Sequence, residues 1–372
     1  MVSMFQDIVE NEEYLKKQII TYIGNKRELL QFIEKGIYKV KNSLNKTKLD
    51  MFDVFSGSGI VARYFKQHAN NLYANDMELY SKIINNCYLS NVSSLNIKQL
   101  KEIYNQLLQH ITQEKLQGGL ISSLYAPLDD DNIKAGERVF YTKRNAMYID
   151  TMRNLIQSVD SSFQNYFLAP LITEASIHAN TSGVFKGFYK DRYTGIGQFG
   201  GSRRNSIFRI KGDIKLPFPI FSNFDCNVSV FNGDSNMIVK EIPEVDLAYL
   251  DPPYNQHPYG SNYFMLNLIA ENKKPLLISN ISGIPNDWNR SAYNKKQYAL
   301  SKLTKLVTDL KSKYVLISFN SEGFISFDEM KNMLNKIGSV EILETKYNTF
   351  RACRNLANRK IHVTEYLYLL EK

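Results

Sequence analysis

Two consecutive segments with the order strand, turn, helix constrain the fold of this chain more than any other feature. The first segment is KLDMFDVFSGSGIVARYF (48–65), in which a glycine-rich turn separates an apolar strand from a helix. The second is NLYANDMELYSKIINNCYL (71–89), whose strand ends at Asn75 and Asp76. Consecutive strand–helix units predict a parallel sheet with helices on both faces.

The strand–helix pattern is interrupted between residues 95 and 225. Helical periodicity dominates there, and a stretch rich in glycine and arginine follows at 178–213. Strand patterns resume after 226, and the segments at 340–348 and 363–372 are typical of an antiparallel pair at a sheet edge. We therefore predict one α/β domain from residues 1–94 and 226–372, with residues 95–225 inserted as a mainly helical subdomain.

Composition favours a protein with a polyanionic partner. The 372 residues carry a formal net charge of +9, although a lysine-rich proteome gives the same balance. The three cysteines, Cys87, Cys226 and Cys353, have neither metal-ligand nor redox spacing, which indicates a reducing cytoplasm. No apolar run approaches 18 residues, so no membrane span is expected, and no metal site is predicted.

Three strand ends carry the residues that suggest chemistry. In LDPPYNQHPY (250–259), the proline pair ends a strand and places Asp251 and Tyr254 in a stiff loop where α/β sheets bind ligands. Gly57 and Gly59 allow close approach of a ligand to a helix N-terminus, but a tight turn alone also explains them. Asp76 suits the hydroxyls of a ribose, and it suits a helix N-cap equally as an isolated acid.

Taken together, the motifs resemble those of the Dam-like DNA adenine N6-methyltransferases. TYIGNK (21–26), DVFSGSG (53–59), ANDM (74–77), NGDS (232–235), DPPY (251–254) and NYFMLNLIA (262–270) occur in the order of that family. The resemblance implies a Rossmann-like class I methyltransferase sheet with an inserted DNA-recognition subdomain. It also implies S-adenosylmethionine as cofactor, double-stranded DNA in a bacterial cytoplasm as substrate, and a restriction-modification or epigenetic role, with a separate endonuclease as an optional partner.

The resemblance assigns the cofactor to the glycine turn and its surroundings. Lys26 is expected at the methionine carboxylate, Asp76 at the ribose, and Asp234 with Ser235 at the adenine. The full predicted set is Tyr22, Lys26, Asp53, Phe55, Gly57, Ser58, Gly59, Asp76, Met77, Asp234 and Ser235.

The predicted catalytic residues are Asp251, Pro252, Pro253 and Tyr254. The adenine amine is a poor nucleophile because its lone pair is delocalised into the ring. The Asp251 carboxylate and the Pro252 carbonyl supply two fixed acceptors for its N–H bonds, which favours a localised lone pair. Tyr254 stacks on a base that has left the duplex.

Basic residues interleaved with aromatic residues predict DNA contacts in the insertion and after the DPPY motif. The predicted DNA-binding set is Lys186, Arg192, Arg203, Arg204, Arg209, Gln256, His257, Tyr259, Asn262 and Tyr263. A solvated loop is the alternative for the insertion. The segment WNRSAYNKK (288–296) is either a mobile loop over DNA or an ordinary surface loop.

Other functions remain open at this point. An amine methyltransferase for N4 of cytosine in DNA uses the same chemistry, and enzymes for rRNA or for a protein glutamine carry similar loops. A regulator that binds DNA without catalysis is a candidate from a different class, although the intact Asp251 and glycine turn argue against it.

Overall fold

Helices and strands alternate along most of the chain. The computed structural model describes residues 8–113, 115–201, 206–348 and 362–372. The strands are β1 Leu49–Asp53, β2 Ala69–Asp76, β3 Asn227–Asn232, β4 Val245–Leu250, β5 Ser312–Asn320, β6 Ser339–Asn348 and β7 His362–Glu371. The α-helices are α1 Glu12–Lys16, α2 Leu30–Leu44, α3 Ile60–Phe65, α4 Leu79–Tyr88, α5 Ile97–Gln113, α6 Leu120–Tyr125, α7 Lys143–Ser158, α8 Ser161–Ile177, α9 Ile207–Lys211, α10 Ser235–Ile238, α11 Tyr259–Asn262, α12 Phe264–Glu271, α13 Lys296–Asp309 and α14 Phe327–Leu334.

The strands form one sheet in the order β3-β2-β1-β4-β5-β7-β6. The first five strands in this order are parallel, and β7 runs antiparallel to both of its neighbours. This arrangement confirms the predicted fold class, including the antiparallel pair at one edge. The central strand β4 is apolar and buried along most of its length because helices cover both faces of the sheet.

Two apolar cores cover the two faces of the sheet. One contains the buried face of α2, with Ile33, Ile37 and Val40, together with residues of α3. The other contains residues of α13 and α14, such as Leu303 and Met330. Because β1 to β5 run parallel, their carboxyl ends lie at one rim of the sheet.

The helices of residues 97–177 share a third core with the rest of the protein. This core includes Ile84 of α4, Ile149 of α7, Leu171 of α8 and Leu266 of α12. The segment predicted as an insertion thus packs on the sheet layer through α4 and α12, and the boundaries 95 and 225 remain a prediction. None of the described helices is long and apolar enough to cross a membrane.

Candidate active site

The carboxyl ends of four parallel strands meet at one rim of the sheet. From β1 the sheet continues on one side to β2 and β3, and from β4 it continues on the other side to β5. Ligands of open α/β sheets bind in the crevice outside such a switch point. The loops after β1, β2, β3 and β4 carry the glycine turn, the ANDM motif, the NGDS motif and the DPPY motif respectively.

The turn after β1 requires glycine for its backbone and for its packing. Gly57 has φ of +51° and Gly59 has φ of +75°. A Cβ atom on Gly57 would lie 2.8 Å from Cε1 of Tyr22, and one on Gly59 would lie 2.7 Å from Oδ1 of Asn85. Side chains of the protein therefore explain both glycines, and Tyr22 of the TYIGNK motif lies directly on the turn.

Asp76 links the turn after β1 to the end of β2. Its Oδ2 accepts a hydrogen bond from the Gly57 amide at 2.8 Å, and its Oδ1 accepts one from the Glu78 amide at 2.9 Å. Burial raises the pKa of Asp76 to about 6, and these amides oppose that effect. Each carboxylate oxygen keeps a lone pair for a further donor.

A cleft of about 670 Å³ opens between these loops. Six of the predicted cofactor residues line it: Tyr22, Phe55, Asp76, Met77, Asp234 and Ser235. The lining also includes Asp251, Pro253 and Tyr259 from the DPPY segment. The carboxylate predicted to act on the target amine therefore faces the same space as the predicted cofactor residues.

Five other residues predicted at the cofactor are not part of this lining. They are Lys26, Asp53, Gly57, Ser58 and Gly59. The side chains of Asp53 and Ser58 are buried, at 1% and 4% exposure. Burial and the neighbouring carboxylates of Asp251 and Asp76 raise the pKa of Asp53 well above its usual range. The cofactor contacts predicted for these five residues remain predictions.

One wall of the cleft comes from residues that the sequence did not identify. Asn289, Ser291, Tyr293 and Asn294 line the cleft, although the sequence favoured either a DNA loop or a surface loop for this segment. The Tyr293 hydroxyl donates to Oδ1 of Asn236 at 3.0 Å. A polar loop far from every recognised motif carries no local signal for such a position.

Glu78 is a second carboxylate of the cleft that sequence reasoning missed. It is 3% exposed, and its Oε2 accepts hydrogen bonds from Asn267 at 2.5 Å and from Asn289 at 3.2 Å. Burial, with a smaller contribution from Asp76, raises the pKa of Glu78 to about 7. It lies two residues after the acid of the ANDM motif, and this proximity is the only signal in the sequence.

Asp251 belongs to a buried group of three charged side chains. Lys26 Nζ lies 3.2 Å from Asp251 Oδ1 and 2.7 Å from Glu365 Oε1, and Lys26 is 2% exposed. Burial raises the pKa of Asp251 to about 6, Lys26 lowers it and Glu365 raises it. Lys26 thus lies beside the carboxylate that is predicted to be catalytic, and its own contact with the methionine carboxylate of the cofactor remains a prediction.

The rest of the DPPY loop is held by backbone and ring contacts. Pro252 is buried, and the Tyr254 carbonyl accepts a hydrogen bond from the Phe324 amide at 2.9 Å. The Tyr254 ring meets Phe319 edge to face, with centroids 6.0 Å apart. These contacts fix the loop on β5 and on the turn that follows it.

Three tyrosines attach the TYIGNK motif to the helix after DPPY. The ring of Tyr22 stacks on Tyr259 and on Tyr263, with centroids 4.9 Å apart in each pair. The Tyr259 hydroxyl donates to the Ile23 carbonyl at 3.0 Å, and the Ile23 amide donates to the Tyr263 hydroxyl at 2.7 Å. Tyr263 is 0% exposed and Asn262 is 3% exposed, and the DNA contacts predicted for these two residues remain predictions.

The remaining DNA-binding predictions divide into exposed and engaged side chains. Lys186, Arg192, Gln256 and His257 are exposed, and Lys186 is close enough to contribute to the lowered pKa of His257. The Phe185 amide donates to the Asn262 carbonyl at 2.7 Å, so the insertion meets the segment after DPPY. Lys186 therefore lies beside the DPPY segment at the rim that carries the cleft.

Arg209 has a structural partner instead. Its guanidinium donates to the carbonyls of Ile177 and Ala179 at the end of α8. Those carbonyls lack partners within the helix, which explains the contact, and the DNA contact predicted for Arg209 remains a prediction. Arg203 and Arg204 lie outside the described residues. Among the described residues, no group of three or more His, Cys, Asp or Glu side chains is arranged to hold a metal ion.

Comparison with known proteins extends the resemblance over almost the whole chain. The family model of the D12 class N6 adenine-specific DNA methyltransferases matches residues 22–333. Type II methyltransferase M.NlaIII of Neisseria lactamica is 30% identical over 364 residues, which covers 95% of this chain and 99% of that protein. Type II methyltransferase M.CviAII of Paramecium bursaria Chlorella virus 1 is 27% identical over 94% of this chain and 98% of that protein. Modification methylase StsI of Streptococcus sanguinis is 29% identical over 94% of this chain but only 52% of its own length. The motif resemblance is thereby confirmed, and the chain belongs to the D12 class of N6 adenine-specific DNA methyltransferases.

Proposed function

We propose that this DNA adenine methyltransferase binds S-adenosylmethionine in the cleft and methylates an adenine swung out of a specific site in double-stranded DNA. The observation that carries the proposal is the shared lining of one cleft. Asp251 and Pro253 of the DPPY loop face the same space as Asp76 and Ser235. An acceptor for the target amine and a site for the methyl donor are therefore contiguous.

The side chains of the cleft fit the proposed cofactor. The Asp76 carboxylate keeps acceptor capacity for ribose hydroxyls beyond the two amides that it already binds. Phe55 and Tyr293, whose ring centroids are 5.3 Å apart, offer apolar surface for an adenine ring beside Ser235. When bound, S-adenosylmethionine supplies an electrophilic methyl group on a cationic sulfur.

The DPPY loop prepares the amine for attack. The Asp251 carboxylate and the Pro252 carbonyl accept hydrogen bonds from its two N–H groups, which favours a localised lone pair. With the methyl donor bound, the nitrogen would take the methyl group from the sulfur, which would leave neutral, and the nitrogen would become positively charged. One N–H proton passes to Asp251 and from there to water. Tyr254 contributes a ring face for the displaced base.

The biological setting is proposed from the relatives. Two of them bear the name Type II methyltransferase, and StsI bears the name modification methylase. We infer that this enzyme modifies a defined sequence in cellular DNA of a bacterial cytoplasm, and that a separate restriction endonuclease is its functional counterpart.

The decisive test of the catalytic assignment is Asp251→Ala. Loss of one preorganised acceptor should lower methyl transfer by roughly a hundredfold or more. Binding of S-adenosylmethionine, followed by calorimetry, should remain, because the other lining residues are intact. Asp246→Ala is the matched control, since Asp246 lies near the start of β4, the strand that Asp251 directly follows, and pairs with Lys46 there.

Single-molecule sequencing of DNA from cells that express each variant identifies the modified base and its sequence context. We expect N6-methyladenine at one motif with the wild-type protein and with Asp246→Ala, and none above background with Asp251→Ala. Near-normal methylation by Asp251→Ala would exclude the proposed role of this carboxylate.

A further inference from the structure

We infer that Glu365 of β7 is a positioning residue of the reaction, which acts through Lys26 to hold Asp251 and to keep an excess negative charge beside the target amine. The inference deepens the proposed function and depends on the catalytic role of Asp251. Glu365 lies outside every motif recognised in the sequence.

Glu365 lies on β7, which is paired on both sides, and short hydrogen bonds hold its carboxylate beside Lys26 and Asp251. It is 0% exposed, and its Oε1 accepts hydrogen bonds from Ser318 Oγ at 2.5 Å and from Lys26 Nζ at 2.7 Å. Its Oε2 has no hydrogen-bond partner among the described residues. The same Lys26 Nζ reaches Asp251 Oδ1 at 3.2 Å. Glu365 therefore determines where the ammonium that contacts Asp251 is held.

A second buried carboxylate is not needed to keep Lys26 neutralised. Asp251 alone would balance its charge, and every additional buried ion costs free energy of desolvation. With all three groups ionised, the site carries a net charge of −1. A buried carboxylate that costs stability and lies beside the proposed reaction site points to a role in the reaction rather than in folding.

The excess charge matches the charge that develops on the substrate. The amine is neutral before attack and positive after the carbon–nitrogen bond forms. A buried site of net charge −1 stabilises that cation, whereas a neutral site does not. Because Lys26 also pairs with Glu365, it neutralises less of the negative charge of Asp251. More of that charge is then available to the amine.

Titration behaviour gives this role a measurable signature. The titratable groups that face Asp251 and Glu365 are Lys26, Asp53, Tyr249, Tyr254, Tyr259 and Tyr368. Activity requires ionised Asp251, so kcat falls as pH drops through the pKa of Asp251. The Glu365 carboxylate raises the pKa of Asp251 and Lys26 lowers it.

The test is the pH dependence of kcat for a set of charge variants. Glu365→Gln should shift the acid limb to lower pH and reduce kcat by roughly tenfold to a hundredfold at its optimum, with KM for S-adenosylmethionine unchanged. Lys26→Met should shift the acid limb to higher pH. The double variant retains the net charge of −1, so its acid limb should return towards the wild-type position although kcat stays low.

Glu371→Gln is the matched control, because it makes the same change on the same strand at a residue that contacts Tyr314. It should leave the acid limb unchanged. A purely structural role for Glu365 would lower the folded fraction, measured by circular dichroism, without moving the acid limb, and that result would overturn the inference. If Glu365→Gln does not fold, the inference is tested with the double variant. That variant removes both charges of the Lys26–Glu365 pair and so leaves neither of them buried without its partner. An acid limb as high as that of Lys26→Met would then contradict the inference.

The outcome separates the two proposals. Full methylation by Asp251→Ala would contradict the proposed function itself. If Asp251→Ala is inactive and the pH profile of kcat for Glu365→Gln is not shifted, only the proposed role of Glu365 is contradicted.

Discussion

Asp76 and Glu78 share with Asp251 a pKa near neutrality, and all three carboxylates line the cleft. Burial is the main cause for both, with a pKa of about 6 for Asp76 and about 7 for Glu78. In the unfolded chain these acids ionise near their ordinary pKa values of about 4. The unfolded state thus binds fewer protons than the folded state between about pH 4 and 7, so their contribution to stability falls as pH rises through that window.

Cofactor binding should show the opposite pH dependence. Ionised carboxylates accept hydroxyl hydrogen bonds and attract a cationic ligand, so affinity for S-adenosylmethionine should rise as pH increases from 5.5 to 8. Glu78→Gln should remove the part of that rise near pH 7, which calorimetry at several pH values measures. Glu102→Gln, at an exposed acid on α5, should retain the wild-type profile. An affinity that does not vary with pH in the wild-type protein would contradict this prediction.

Motif residues were predictable one by one, and their supporting partners were not. Asp76 and Asp251 follow strands and carry recognisable neighbours, so their position at the cleft could be predicted. Glu78, Tyr293 and Glu365 reach the site only through the fold, because nothing within a few residues of Tyr293 or Glu365 distinguishes them. The burial of Tyr263 could not be predicted either, because its ring stacks on Tyr22, which is distant in the sequence.

At the scale of elements, the turn between β1 and α3 is the most constrained connection. Gly57 has positive φ, and a Cβ there would meet Tyr22, which is itself held in a stack by Tyr259 and Tyr263. Tyr22 therefore has little freedom to move aside. The turn, the TYIGNK motif and α11 form one packed unit beside the cleft.

Gly57→Ala should destabilise the protein by about 1–3 kcal/mol and weaken cofactor binding. Gly136→Ala is the control, since Gly136 has φ of +89° but open space around its Cβ position. It carries a similar backbone cost without the contact to Tyr22. Thermal unfolding and calorimetry of both variants separate the two contributions. Equal effects of the two substitutions on cofactor affinity would show that packing against Tyr22 is unimportant.

Elements of the sheet were easier to predict than the organisation of the middle of the chain. Alternation of strands and helices identified β1, β2, β4 and the antiparallel edge, because such periodicity is local. The shared core of α4, α8 and α12 depends on contacts between distant segments, and no local pattern reports them. The wall formed by residues 289–294 was missed for the same reason.

At the scale of the whole molecule, the formal charge of +9 suits a DNA substrate. Lys186 and Arg192 are exposed, Lys186 lies beside His257 of the segment after DPPY, and Tyr193 is 91% exposed. Phosphate contacts by these cations would hold the duplex over the cleft without reading its sequence.

Lys186→Ala and Arg192→Ala should therefore weaken binding to cognate and scrambled duplexes alike. Each lost phosphate contact should reduce the slope of log affinity against log salt by about 0.9. Lys46→Ala is the control, because Lys46 pairs with Asp246 near the start of β4, away from the rim. It should leave the slope unchanged. Loss confined to the cognate duplex, at roughly 1–3 kcal/mol, would instead assign the side chain to base readout.

The contact between Lys26 and Glu365 joins residues 339 positions apart, and the contact between Ile23 and Tyr263 spans 240. Pairings of such long range close large loops and form slowly. A nascent chain cannot complete this site until residue 365 has left the ribosome. Partial translation products therefore lack the buried charge cluster, and methylating activity arises only once β7 has joined the sheet.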